Sequence, residues 1–124
     1  MKIITLILFC TMSLLSCITN HRTSTHNLKA MQKGMTKIEA INQATKEPIK
    51  EFEIALNSVP SKKYYILVYE ITGYGGGDYD SDYFVVFEND RLIYKGYPYD
   101  LNRHPNATLN EIGKIAVAEY DKIK

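Results

Sequence analysis

The chain offers few residues whose type and spacing could do chemistry, and each fails on a specific requirement. Asp78-Tyr79-Asp80-Ser81-Asp82 places oxygen ligands at alternate positions, like the start of a calcium loop. An EF-hand loop needs Gly at its sixth position and a bidentate Glu at its twelfth, where this chain has Tyr83 and Asn89. The acids therefore read as a solvated loop. Gly73-Tyr74-Gly75-Gly76-Gly77 has the glycine density of a phosphate cradle, but it lacks the Gly-Lys-Ser/Thr ending. Acids follow it instead, and these repel phosphate. His104 would need a nucleophile and an orienting acid within reach to serve a hydrolase. Ser58, Ser61 and Ser81 all fall in loop-like stretches without an elbow motif, so His104 reads as a loop histidine. His21 and His26 stand in a polar stretch with no further ligand types around them. Asn106-Ala107-Thr108 matches a glycosylation acceptor and reads better as the approach to a helix cap. The expectation is a protein without catalytic residues, metal or cofactor.

What remains is a surface chemistry of tyrosine. The chain has ten Tyr and no Trp, and Tyr74, Tyr79, Tyr97 and Tyr99 cluster around loops. Exposed Tyr is enriched at binding surfaces, so these four are the candidate partner-binding residues. A formal charge of +1 gives no reason to expect nucleic acid.

One cysteine has a chemistry of its own. Met1-Lys2 followed by an apolar run from Ile3 to Leu15 has signal-peptide length and falls short of the ~20 residues that span a bilayer. It ends in Leu14-Leu15-Ser16-Cys17, which resembles the bacterial lipobox. The resemblance implies acylation of Cys17 as the first mature residue. Ile18 follows, not the Asp that retains lipoproteins of the enteric type in the inner membrane, which implies the outer membrane, facing the periplasm. Residues 1–16 are then the signal peptide, 17–27 a polar tether, and 28–124 a single domain. Cys10 leaves with the signal, so the domain has neither disulfide nor free thiol.

The elements follow from pattern. Asn27 to Gln32 suggests a short helix, and Thr36-Lys37-Ile38-Glu39 is a capping box opening a second. Ile38, Ile41 and Thr45 would share one face of that helix, with Ala40 and Ala44 beside them, and Glu47-Pro48 would end it. Phe52, Ile54 and Leu56 alternate as in a half-buried strand. Tyr64 to Thr72 is the most β-prone run, and Tyr83 to Glu88 and Arg91 to Tyr97 flank the turn Asn89-Asp90. An unbroken register places Glu88 opposite Arg91, Phe87 opposite Leu92, Val86 opposite Ile93 and Val85 opposite Tyr94. Both faces of this hairpin are apolar, so both need a cover. Pro98 to Ala107 reads as a loop. Thr108-Leu109-Asn110-Glu111 reads as a second capping box, opening a helix with its apolar stripe at Leu109, Ile112, Ala116, Tyr120 and Ile123. The expected class is α+β: two N-terminal helices packed on an antiparallel sheet of three to four strands, plus a C-terminal helix. That last helix is expected to cover Phe84, Val86 and Ile93.

Gly34-Met35-Thr36-Lys37, the apolar helix positions Ile38 and Ile41, the closing Pro48, and the run from Tyr83 to Arg91-Leu92 together resemble the SmpA/OmlA (BamE-like) outer-membrane lipoproteins of the β-lactamase-inhibitor-protein-like fold. The resemblance covers roughly Leu28 to Tyr94. Lys46 stands where that family often has Gly, and Tyr97 to Lys124 extends beyond it. The resemblance implies a lipid-anchored, non-catalytic interaction or adaptor module with an envelope protein partner, acting in outer-membrane protein assembly or envelope integrity. The same fold class also hosts inhibitors and ligand-binding modules, which is the alternative.

Overall fold

The computed structural model describes residues 23–72 and 80–124. Its elements run α1 (Thr25–Lys29), α2 (Lys37–Ala44), β1 (Lys50–Ala55), β2 (Lys63–Thr72), β3 (Asp80–Glu88), β4 (Arg91–Gly96), α3 (Pro98–Asn102) and α4 (Ala107–Ile123). The class is α+β: a four-stranded antiparallel sheet in the order β1-β2-β3-β4, with a long C-terminal helix.

The sheet is apolar on both faces because its central strands carry large apolar residues at successive positions, Tyr64 to Tyr69 and Tyr83 to Phe87. Leu67, Tyr69, Ile71, Tyr83, Val85, Phe87 and Leu92 point to one face, where Leu28, Met31, Ala40 and Ala44 cover them. Ile54, Tyr64, Ile66, Val68, Phe84 and Val86 point to the other, under Leu101, Ile112, Ala116 and Tyr120. The C-terminal helix thus covers the Phe84 and Val86 face, as the two-sided pattern requires. Burying each large side chain contributes ~1.5–3 kcal/mol, so neither face is left to water.

Asn89 and Asp90 both have positive φ, at 49° and 58°, the signature of the two-residue turn that suits the twist of a hairpin. Glu88 faces Arg91 and Phe87 faces Leu92, as expected. The register then slips: Val86 faces Tyr94, Val85 faces Lys95, and Phe84 faces Gly96. Ile93 is the extra residue of a β-bulge, which places two successive side chains on one side. Tyr94 therefore joins Ile93 on the α4 face, against the expectation that it lies with Val85 and Phe87. Lys95 turns to the opposite face and donates to the carbonyls of Leu28 and Lys29 at the end of α1. A cation there suits the carbonyl end of a helix.

The described residues begin at Thr23, within the stretch expected to be tether. Its N–H donates to the Glu70 carbonyl at 2.8 Å, beside Ile71 and past the end of β1. α2 opens on the Thr36 capping box, with both reciprocal bonds formed. It closes at Ala44 rather than at Glu47-Pro48, because Thr45 turns left-handed at φ 62°. Its buried stripe is Ala40 and Ala44, whereas Ile38 is 69% exposed, contrary to the expected face.

The stretch expected to be a loop holds α3, whose Leu101 is fully buried. Gly113 of α4 packs against it: a Cβ there would lie 2.6 Å from Asn102 N and from Leu101 C and O. Asn106, not Thr108, caps α4, its Oδ1 accepting from Leu109 N at 3.0 Å. Glu111 cannot complete the expected box because it is engaged elsewhere: it accepts from Ser58 N at 3.0 Å and Ser58 Oγ at 2.7 Å.

Candidate functional site

The sheet has two ends that carry different side chains. At one, β2 and β3 end in Thr72 and begin at Asp80, and β4 leads through Gly96 into α3. At the other lie the β3–β4 turn and the β1–β2 connection.

Tyr97 and Tyr99 lie at the first end. Tyr97 stands just before α3, its ring set edge-on to Tyr83 with centroids 5.5 Å apart. Tyr99 projects from the first turn of α3 and is 62% exposed, with the Arg103 guanidinium 4.2 Å from its ring centroid. Their i,i+4 spacing puts the two side chains on one helix face. The sequence therefore held the signal for Arg103, which the reading of tyrosines alone missed. Tyr74 and Tyr79, the other two candidate residues, lie outside the described residues, as do Cys17, His21 and the acid Asp78. The structure thus brings Tyr97 and Tyr99 to the same end, and says nothing of the other pair.

Beneath this surface the phenols are held neutral. Burial pushes the Tyr83 hydroxyl up to about 12, with smaller contributions from Tyr97 and Tyr94. Tyr120, edge-on to Phe84 at 5.6 Å, is likewise pushed up to about 12, by burial first and then by Asp82. At neutral pH both act only as hydrogen-bonding rings, not as bases.

The opposite end carries a groove of about 280 Å³ lined by Lys37, Glu53, Lys63, Tyr65, Phe87, Asn89 and Asp90. Lys37 Nζ sits 4.4 Å from the Tyr65 ring centroid, and Lys63 pairs loosely with Glu53 at 3.8 Å. Two stretches remote in sequence are fastened together here. Gly34 N donates to Leu92 O at 2.9 Å and Leu92 N to Met35 O at 2.8 Å. Arg91 donates to Gly34 O, and Lys37 N to Asp90 Oδ1, each at 3.0 Å. Gly34 takes φ 89°, which a side chain would strain. Asp90 thus adds a carboxylate to the N-terminus of α2, where the helix dipole favours it.

A second groove, about 390 Å³, follows the outer side of β4 past Lys33, Ile93, Tyr94, Lys95, His104 and Leu109. His104 Nδ1 accepts from Asn106 N at 3.0 Å, and its ring is edge-on to Tyr94 at 5.8 Å. That bond assigns the ring proton to Nε2. His104 shapes the turn into α4, in keeping with its reading as a loop histidine.

Ser58 is likewise structural, tying the β1–β2 connection to α4 through Glu111. Its two donors hold the Glu111 carboxyl below the usual carboxylate range. Among the described residues no three of His, Cys, Asp and Glu gather as a metal-ligand set. No described helix is long and apolar enough to cross a membrane. No family model matches the chain, and no curated protein matches it.

Proposed function

We propose that this chain is a lipid-anchored envelope lipoprotein, attached through Cys17 to the outer membrane and facing the periplasm. It acts there as a non-catalytic adaptor of the SmpA/OmlA (BamE-like) type, serving outer-membrane protein assembly or envelope integrity. The folded part is one module, with a pair of N-terminal helices as one layer on the sheet. The observation that supports the reading best is the junction at the turn end. Gly34-Met35-Thr36-Lys37 and Asp90-Arg91-Leu92, parts of the two stretches on which the resemblance rests, are bound to each other by four hydrogen bonds. That these parts hold one another in place supports reading the short motifs as one pattern. The lipobox-like run ending in Cys17 supports the location, since two or three acyl chains bind a membrane almost permanently where one is marginal.

The test is fractionation combined with capture. Cys17→Ala should leave the membrane pellet for the soluble fraction, and the acylated protein should recover barrel-assembly subunits from solubilised envelope. A Cys17→Ala protein still wholly in the pellet refutes the anchor. Recovery of one soluble enzyme instead of assembly subunits favours an inhibitor.

A further inference from the structure

The anchor and the first described residue are close in sequence: Thr23 follows Cys17 by six residues. Fully extended, six residues reach about 20 Å. Thr23 is fixed, with its side chain buried and its N–H on Glu70 O beside Ile71, at the sheet end that also carries Tyr97. From Ile71 to Tyr64, which faces Glu88 beside the turn, seven residues of strand cover about 24 Å. A chain held at Cys17 therefore has little slack to turn Thr23 away from the membrane and rest the Asn89-Asp90 end on it, because the fully extended link is no longer than the sheet.

The end that the link does hold near the lipid is suited to it. Among the described residues, three of the five exposed large apolar side chains, Tyr97, Tyr99 and Ile123, lie at this end, and Ile38 and Val59 lie at the other. α4 finishes here, with Tyr120 against Phe84. Tyr favours the boundary where one side of the ring is apolar and the hydroxyl is wet. Arg103, stacked on Tyr99, offers a planar set of donors that matches phosphate oxygens.

We infer that the sheet end carrying Tyr97, Tyr99 and Arg103 rests on the lipid surface to which the chain is anchored, the two rings at headgroup level and Arg103 on lipid phosphates. This rests on Cys17 being the anchor. It leaves the opposite end, with the Lys37–Lys63 groove and the Asn89-Asp90 turn, presented to the envelope partner.

The chain has no Trp, so single Trp reporters give an unambiguous signal. Tyr99→Trp reports the proposed contact. Ile38→Trp and Val59→Trp, both at exposed positions of the far end, are controls. In the chain from Cys17 onward that residue is the only thiol, and coupling it to a maleimide lipid fixes the same link whether or not a cell acylates it. The proteins are then bound to phosphatidylethanolamine–phosphatidylglycerol vesicles carrying a spin-labelled headgroup lipid. The expected result is quenching severalfold stronger at position 99 than at 38 or 59, weakened by Arg103→Ala. Equal quenching at all three positions means the module lies on its side, and overturns the inference. So does a position 99 that lipid leaves unquenched but solubilised envelope protein shifts, since a protein then occupies the patch. The mass of the protein extracted from bacterial envelope separately reads whether Cys17 is acylated, so failure of the anchor is distinguishable from failure of the orientation.

Discussion

Replacing Gly113 by alanine sets two effects of known sign against each other. In a helix interior Ala is favoured over Gly by ~1 kcal/mol, so local propensity alone makes Gly113→Ala stabilising. The tertiary structure reverses this. The new Cβ lands 2.6 Å from Asn102 N and from Leu101 C and O, about 1 Å inside the ~3.5–4.0 Å of ordinary carbon contact. These are backbone atoms, so no rotamer change relieves the clash and α3 must lift from α4. Leu101, fully buried, lifts with it. Overpacking of this kind costs ~1–3 kcal/mol, and part of the ~1.5–3 kcal/mol from burying Leu101 is lost as well. Once the propensity gain is subtracted, the expected loss is ~1–3 kcal/mol. Urea denaturation followed by circular dichroism measures it, with each kcal/mol worth ~4–8 °C in Tm for a domain of this size. Ala118→Gly on the exposed side of α4 calibrates propensity and should cost ~1 kcal/mol. If propensity alone governed, the two variants would move in opposite directions; close packing predicts that both are destabilised. A Gly113→Ala protein as stable as wild type, or more so, would refute the contact between α3 and α4.

Three further outcomes are expected. Asn106→Ala should lose ~1 kcal/mol of stability while Thr108→Ala stays nearly neutral; the reverse order in a denaturation series would restore the Thr108 cap. In alkali, the buried phenols of Tyr69, Tyr83 and Tyr120 ionise more readily in the unfolded chain, near pH 10, than in the fold, where burial raises all three and holds Tyr83 and Tyr120 at about 12. Their contribution is therefore whole below pH ~10 and lost as pH rises through the folded values; phenolate absorbance and loss of structure should rise together, and full titration of a still-folded protein would contradict it. Deleting residues 107–124 uncovers Phe84, Val86 and Ile66 and should give an aggregating or apolar-dye-binding protein, whereas a truncated chain that stays monomeric and cooperative would show that α4 is not part of the core.

Whatever depends on neighbours a few residues apart was legible in the order of the residues. Unbroken large apolar residues in Tyr64 to Tyr69 and Tyr83 to Phe87 required a sheet covered on both sides. Asn89-Asp90 specified the turn, Thr36 with Glu39 specified a helix start, and the Leu109-to-Tyr120 stripe supplied the second cover. Tertiary structure decided the rest, through partners remote in the chain. Ile93 bulges, so Tyr94 and Lys95 exchange faces, and Lys95 meets the carbonyls at the end of α1. Glu111 answers to Ser58 across 53 residues, so the box at Thr108 never forms. Ile38 fits a helical stripe by spacing, yet α2 is oriented by how closely Ala40 and Ala44 let it approach the sheet, and Ile38 is left in water. Tyr97 and Tyr99 look alike in sequence; only the path of α3 over the sheet sets one ring against Tyr83 and the other under Arg103. A local pattern can specify an element, but which of its faces is buried depends on surfaces that exist only once the distant parts of the chain have met.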